Sequence, residues 1–241
     1  MSYENSVLKI IGDFSSDFSS DFSSKDPPIS FTPTKASKLT FKKPNAFSLP
    51  AGIDCPGETL ACKGCYAKKG NHRFPSVKTA YARNHVLFAH FKKTNDIEGC
   101  ALKLLEIIPS AGIFRIHESG DFSSQFAVKV WEKVISQTPN VKFWAYTRSF
   151  NLNFSKLCKY PNFQLHASSD DYNKVKARNF AKKLAIKLAF GPYNIDKPLP
   201  KNSFACPATG KGALVKTKGA CVKCKLCWNG KSSKNVVFYK H

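Results

Sequence analysis

Three cysteines in one short loop constrain this chain more than any other feature of its sequence. Cys55, Cys62 and Cys65 have the spacing C-x6-C-x2-C, in a segment rich in proline, glycine and small residues that does not favour a regular helix. Three thiolates from one loop suit a soft metal, and they predict either iron in an iron–sulfur cluster or zinc. Three ligands leave a tetrahedral metal with one position that another residue fills or that stays open for chemistry.

A second set of cysteines lies toward the carboxyl terminus and supplies a complete set of ligands. Cys206 is followed by Cys221, Cys224 and Cys227, and the last three have the spacing C-x2-C-x2-C. Four thiols of this kind predict a closed site that holds an iron–sulfur cluster or structural zinc. The contrast between the two sets points to the first set as the one suited to chemistry.

The other cysteines and the absence of transport signals bear on the cellular compartment. No apolar run reaches the roughly 18 residues of a membrane span, and the amino terminus has no secretory pattern. We therefore expect a cytoplasmic protein with no membrane partner. In that compartment nine cysteines favour metal binding over disulfides. Cys100 and Cys158 lie in apolar segments and are predicted to be core residues.

The chain is strongly basic, with 38 Lys and Arg against 16 Asp and Glu and a formal net charge of +22. Such a charge predicts a polyanionic partner, DNA or RNA, although lysine-rich coding is an alternative explanation. Residues 197–241 carry ten lysines and no acidic residue, and part of that charge can offset metal-bound thiolates. A predicted helix over residues 172–185 carries a second basic group, which consists of Lys174, Lys176, Arg178, Lys182 and Lys183.

Three regions follow one another along the chain. Residues 1–35 contain Asp-Phe-Ser-Ser three times in succession, followed by several prolines, and we predict a low-complexity, disordered tail. Residues 36–196 are predicted to form the main α/β unit, which includes the cysteine loop. Residues 197–241 are predicted to be a basic, cysteine-rich, metal-binding extension.

Short apolar strands alternate with amphipathic helices in the central region. This alternation is typical of a parallel sheet, and the number of strands predicts a partial (β/α) barrel rather than a complete eight-stranded one. The predicted strands are 113–116, 141–146, 163–167 and 186–190, with 39–41 and 236–239 as further candidates. The predicted helices are 76–92, 96–108, 125–137 and 172–185.

Polar side chains follow three of the predicted strands. Residues 118–121 follow the first, Thr147 and Arg148 the second, and residues 168–171 the third. Because the carboxyl ends of parallel strands share one edge, we expect these clusters to meet the cysteine loop there. Helix capping is an alternative explanation for the serine and aspartate residues.

Three ordered motifs resemble the phage gene product 88 family. They are the loop from Cys55 to Ala67, the turn from Arg115 to Phe122 and the closing segment from Cys206 to Trp228. The resemblance covers residues 41–228, and the loop is also similar to that of the phage gene product 37 and 68 family. These families resemble radical S-adenosylmethionine (SAM) enzymes, whose partial β/α barrel holds a [4Fe–4S] cluster on three cysteines and SAM on the open iron.

The resemblance implies cofactors and residue roles. It implies a [4Fe–4S] cluster at Cys55, Cys62 and Cys65, a second [4Fe–4S] cluster or zinc at the later set, and SAM. Ser119, Gly120 and Asp121 would hold the SAM amino group, Arg148 its carboxylate, and Ser168 or Asp170 its ribose. The implied function is a radical-SAM-like iron–sulfur protein that acts on or binds a nucleic acid or nucleotide.

Two other hypotheses stay open on the sequence. In the first, the protein is a non-catalytic, metal-stabilised nucleic-acid-binding protein, and a fourth ligand such as His72 or His117 closes the first site. In the second, His117, Glu118 and Asp121 bind zinc in a nuclease or hydrolase.

Overall fold

A parallel β-sheet is the central element of the fold. The computed structural model describes residues 2–17, 30–34, 45–216, 219–230 and 232–240. Within these residues, seven strands pair in parallel in the order β1-β2-β3-β4-β5-β7-β6. The strands are β1 (Ala46–Phe47), β2 (Gly112–Ile116), β3 (Val141–Thr147), β4 (Phe163–Ser169), β5 (Lys187–Tyr193), β6 (Ser203–Ala205) and β7 (Asn235–Tyr239).

The helices connect and cover these strands. Asp96 and Ser124 each accept a backbone N–H three residues later, at Gly99 and Ala127, and so cap the helices that follow them. Within the described residues the α-helices are α1 (Tyr3–Asp17), α2 (Pro75–Thr94), α3 (Ile97–Leu105), α4 (Gln125–Gln137), α5 (Lys174–Leu184) and α6 (Ala220–Cys224). The predicted alternation, including the four central strands and their helices, is confirmed to within a few residues, and the α/β class with it.

One face of the sheet forms the main core. Side chains alternate along each strand, so Phe114, Phe143 and Leu165 point to the same face and are buried. They pack with residues of α2, α3, α4 and α5, and Trp131 of α4 is fully buried in this core. Cys100 is buried there and Cys158 packs against it, as predicted for both.

The carboxyl-terminal residues cover the opposite face. Trp144 and Ala46 form a buried cluster there, against which Tyr146, Cys227 and Trp228 pack. The same region also contributes β6 and β7, and β7 pairs with β5 as an extension of the sheet. The second cysteine set is therefore anchored on the sheet itself.

The amino-terminal region differs from the prediction of a disordered tail. Residues 3–17 form α1, whose buried Tyr3 and Val7 pack with Ala82 of α2. Ile10, Ile11 and Phe14 continue this apolar face at helical spacing, which explains why the segment can dock. The first Asp-Phe-Ser-Ser unit lies at the end of α1, whereas most of the repeat and the strand candidate 39–41 lie outside the described residues.

Candidate metal centres

The first cysteine loop crosses the carboxyl ends of the central strands. The backbone amide of Asp121, a residue that follows β2, donates to the Asp54 carbonyl at 2.7 Å. Gly57 packs closely against Arg148, which follows β3. A Cβ atom added at this glycine would lie 2.1 Å from the Arg148 carbonyl oxygen. Thr59 Oγ1 donates to Asp170 Oδ2, after β4, at 2.7 Å. The predicted convergence of the loop with three polar clusters is confirmed.

Each sulfur of the loop receives a backbone hydrogen bond. Thr59 N donates to Cys62 Sγ at 3.4 Å. The amides of Gly52 and Ala67 make the corresponding bonds to Cys55 and Cys65, and both bonds lower the pKa of the thiol concerned. Such bonds favour the thiolate, and hydrogen bonds to sulfur are one of the means by which proteins tune iron–sulfur clusters.

Burial acts on the same thiols in the opposite direction. It raises the pKa of Cys55 to about 12, with smaller contributions from Asp121, Cys65 and Cys62, and it raises the pKa of Cys65 as well. The charge of Arg148 lowers the pKa of Cys65. In the metal-free loop Cys55 and Cys65 are therefore protonated at neutral pH, and a metal has to displace their protons when it binds.

A chain of polar contacts connects the loop to the strand ends. Arg148 Nε donates to Asp170 Oδ2 at 3.1 Å, and Arg148 Nη2 donates to the Gly191 carbonyl at 3.1 Å. The same Asp170 oxygen accepts from Thr59, so Asp170 joins the loop to the ends of β3 and β4. Sequence reasoning missed Thr59, which no motif distinguishes from an ordinary loop residue.

The turn after β2 is held by the protein itself. Asp121 accepts the Phe122 and Arg148 amides on its two oxygens, each at 2.7 Å, and burial raises its pKa to about 6. Ser119 is buried, and its carbonyl accepts from Leu49 N at 2.9 Å. Gly120 has φ +79°, and a Cβ there would lie 2.7 Å from Leu49 Cβ, so glycine is needed. Ser119, Gly120 and Asp121 thus have defined structural contacts next to the loop.

Of the two histidines considered as further ligands, only His72 has a hydrogen-bonding neighbour, whereas both ring nitrogens of His117 are buried without a hydrogen-bond partner among the described residues. His117 packs edge-on against Phe122 with ring centroids 4.9 Å apart, and burial lowers its pKa to about 3. His72 Nδ1 lies 2.8 Å from the Tyr81 hydroxyl. In the described part of the chain, no group of three or more His, Cys, Asp or Glu side chains has the arrangement of an ion site.

The second cysteine set gathers around Cys227. Burial raises the pKa of this thiol to about 12, and the charges of Cys206, Cys221 and Cys224 contribute to the rise, so each of the three acts electrostatically on Cys227. Cys221 and Cys224 lie on α6, and Cys206 follows β6, where its amide donates to the Val237 carbonyl at 2.8 Å.

Donors from the sheet face this second set. The Tyr146 hydroxyl donates to Cys227, and His166 Nε2 lies 2.9 Å from the Cys227 carbonyl, to which it donates. Arg115 Nε and Lys187 Nζ are buried and have no hydrogen-bond partner among the described residues. The charge of Cys221 acts on Arg115 and that of Cys227 on Lys187. Two cationic side chains therefore lie within electrostatic range of this cysteine set, a role that the sequence analysis assigned to neither.

Comparison with known proteins identifies relatives over most of the chain. The sequence model described as Gene product 88 matches residues 25–230. The Gene 88 protein of Mycobacterium phage L5 is 32% identical over 222 residues, which is 85% of this chain and 90% of that protein. The Gene 88 protein of Mycobacterium phage D29 is 30% identical over 218 residues, which is 83% of this chain and 89% of that protein. No solved structure matches this chain. None of the helices described here has both the length and the apolar character that crossing a membrane requires.

Proposed function

The chain belongs to the gene product 88 family, and we propose that it is a phage iron–sulfur protein that binds or acts on a nucleic acid or nucleotide. The first centre would be a [4Fe–4S] cluster held by Cys55, Cys62 and Cys65. The observation that carries this proposal is that each of these three sulfurs receives its own backbone N–H on one loop. The bond from Thr59 N to Cys62 Sγ also caps the 3-10 turn Leu60–Gly64, and all three amides would serve as donors to metal-bound thiolates.

The residues around the loop fit an anionic cluster. Arg148 supplies a positive charge next to Cys65, and its guanidinium is fixed by Asp170 and the Gly191 carbonyl. A bound cluster would supply one-electron chemistry at this edge of the sheet. The contribution of the chain is to hold the three thiolates, orient them through amide donors and place Arg148 beside them.

The second centre would be held by Cys206, Cys221, Cys224 and Cys227 and would contain a [4Fe–4S] cluster or zinc. Four thiolates on a divalent ion carry a net charge of about −2. The buried Arg115 Nε and Lys187 Nζ can compensate that charge, which favours a metal over a purely apolar role for this set.

Binding of SAM is the finer form of the proposal, in which the sheet edge acts like the partial barrel of radical SAM enzymes. Ser119, Gly120 and Asp121 would then hold the amino group of SAM, and Ser168 or Asp170 its ribose. Arg148 would hold the carboxylate of SAM, and for this it has to exchange its bond to Asp170.

A non-catalytic, metal-stabilised nucleic-acid-binding protein is the second candidate. The bonds already made by Asp121 and Arg148 within the protein favour it, because these bonds lock the loop without any ligand. Both candidates share the basic surface, whose clearest part is the exposed face of α5.

Anaerobic purification followed by quantification of iron, sulfide and zinc separates these candidates. Electron paramagnetic resonance of the reduced protein, before and after addition of SAM, then tests the open position of the first cluster. The proposal expects iron with matching sulfide, and its finer form expects a spectrum that SAM alters. Zinc without iron contradicts both forms of the iron–sulfur proposal, whereas iron with a spectrum insensitive to SAM contradicts only the finer one.

A further inference from the structure

A groove lies beside Cys62, between the cysteine loop and the start of α5. Its volume is about 460 Å³, and Leu60, Cys62, Lys63 and Tyr172 contribute to its lining. Leu60 is 56% exposed and Tyr172 is 63% exposed, which is unusual for side chains of this size next to a buried site. The groove therefore combines apolar surface with access to one of the metal-binding thiols.

The backbone that presents Tyr172 is firmly held although its ring is exposed. Tyr172 N donates to Asp170 Oδ1 at 2.9 Å, and Asp170 N donates to Asn173 Oδ1 at 2.8 Å. Asp170 also binds Arg148 and Thr59, so this turn is fixed to the cysteine loop. A fixed, exposed aromatic ring is suited to stacking, because every nucleobase presents a π-face whatever its sequence.

Positive charge continues from the groove along α5. No acidic residue occurs between Tyr172 and Lys187. On the loop side, Lys63 is exposed, whereas Lys68 pairs with Glu4 at 2.6 Å and lies 4.0 Å from Glu58. Glu58 and Asp171 are the exposed acidic neighbours, whereas Asp170 is buried and paired with Arg148, and the exposed cations outnumber the exposed acids. The exposed cationic residues of α5 are Lys174, Lys176, Arg178, Lys182 and Lys183.

We propose that this groove binds single-stranded nucleic acid, with one base stacked on Tyr172 beside Leu60 and the phosphates following α5. This arrangement would place a nucleotide next to Cys62 and therefore next to the first metal centre. A single strand is required because the bases of a duplex are stacked on each other and cannot reach a side chain. The inference rests on the proposed function and assigns a ligand class to the same site.

To test whether the groove binds a single strand, the Kd for a fluorescein-labelled oligothymidylate of about 12 nucleotides is measured by fluorescence anisotropy. We expect Tyr172→Ala to raise Kd about tenfold and Tyr172→Phe, which keeps the ring, to change it less than about twofold. Leu102→Ala is the matched control, since Leu102 is 60% exposed on α3, away from the groove. A duplex of the same length should bind more weakly than the single strand.

The contribution of α5 has its own measurement. Neutralising Arg178 and Lys182 to Gln should weaken binding and reduce the slope of log Kd against log salt by about one to two. Neutralising Lys92 and Lys93, which are exposed at the end of α2, should leave both the Kd and the salt slope unchanged. Photo-crosslinking with an iodouridine-containing single strand should label the peptide that contains Tyr172.

The outcomes separate this inference from the proposed function. Tight binding that Tyr172→Ala leaves unchanged, with crosslinks elsewhere, overturns the groove assignment and leaves the iron–sulfur proposal intact. If neither a single strand nor a duplex binds the iron-loaded protein, the groove inference fails, and so does the nucleic-acid part of the proposed function. If the purified protein contains no iron but still binds the single strand through Tyr172, the iron–sulfur assignment is overturned and the groove assignment is supported.

Discussion

At the scale of single residues, the proposed metal–thiolate centre would supply the negative charge that stabilises a buried cation of β5. Lys187 Nζ is buried without a hydrogen-bond partner in the described part of the chain, and burial lowers its pKa. An unpaired buried ammonium is costly, whereas one beside a negative centre is stabilised. The Tyr146 hydroxyl already donates to Cys227 and would hydrogen-bond the same centre.

Lys187→Met should therefore have opposite effects in the two states of the protein. The metal-free variant should unfold at a higher temperature than the metal-free wild type, because an unpaired buried cation is removed. The metal-loaded variant should lose metal to a chelator faster than the wild type, because the centre loses a compensating charge. Thermal unfolding and chelator kinetics measure the two effects, with the exposed Lys142→Met on β3 as control. Equal rates of metal loss in the wild type and Lys187→Met would refute this role.

His117 makes a separate prediction about pH. Its pKa falls from 6.5 to about 3 in the folded protein because of burial, so the unfolded chain binds a proton more readily. The free energy of unfolding should decrease as pH falls below about 6.5, and this residue should contribute about 1.4 kcal/mol per pH unit until the folded pKa is approached.

Replacing His117 with Phe should remove that contribution. Urea unfolding between about pH 4.5 and pH 7 gives the comparison, and only the slope against pH matters because the substitution can change stability at every pH. Identical slopes for the variant and the wild type would show that His117 does not titrate in this way.

At the scale of elements, the fixed position of the cysteine loop depends on close backbone approach. The loop reaches the strand ends at Gly57 and Thr59, whose partners lie far away in the sequence. The central strands and helices could be predicted because their apolar periodicity is local. The contact of Thr59 with Asp170 spans 111 positions and leaves no local signal.

Two elements show why other parts of the fold were harder to predict. Strand β1 has only two residues, which is too short for an alternating pattern. The apolar face of α1 overlaps the start of a low-complexity repeat, whose composition favours disorder and hides the helical pattern. The spacing of the cysteines predicts metal binding, but it carries no signal for the amide, hydroxyl and cation donors around them.

Gly57→Ala tests the close approach at the loop. The added Cβ would lie 2.1 Å from the Arg148 carbonyl oxygen, so the loop has to move away from β3. We expect a loss of about 1–3 kcal/mol in unfolding free energy and a lower iron content. Gly64→Ala is the control in the same loop, because nothing lies within 4 Å of its Cβ position. Equal stability and iron content in the two variants would contradict the contact.

At the scale of the whole molecule, the two proposed centres lie on different parts of one sheet. The first lies at the carboxyl ends of the strands, and the second lies on the face opposite the main helical core. Arg115 connects them, since its Nη2 donates to the Tyr66 hydroxyl at 3.1 Å, next to Cys65, while Cys221 acts on its charge. The net charge of +22 gives the protein a positive electrostatic potential, and such a potential attracts polyanions.

The central claim is that the first loop holds an iron–sulfur cluster, and the most direct measurement is iron and acid-labile sulfide per chain in Cys62→Ala. Cys158→Ala is the control, because Cys158 packs against the core outside both sets. Because one [4Fe–4S] cluster would be lost, Cys62→Ala should contain about four iron and four sulfide fewer per chain than the wild type, while Cys158→Ala loses none. Wild-type iron and sulfide content in anaerobically purified Cys62→Ala would contradict it.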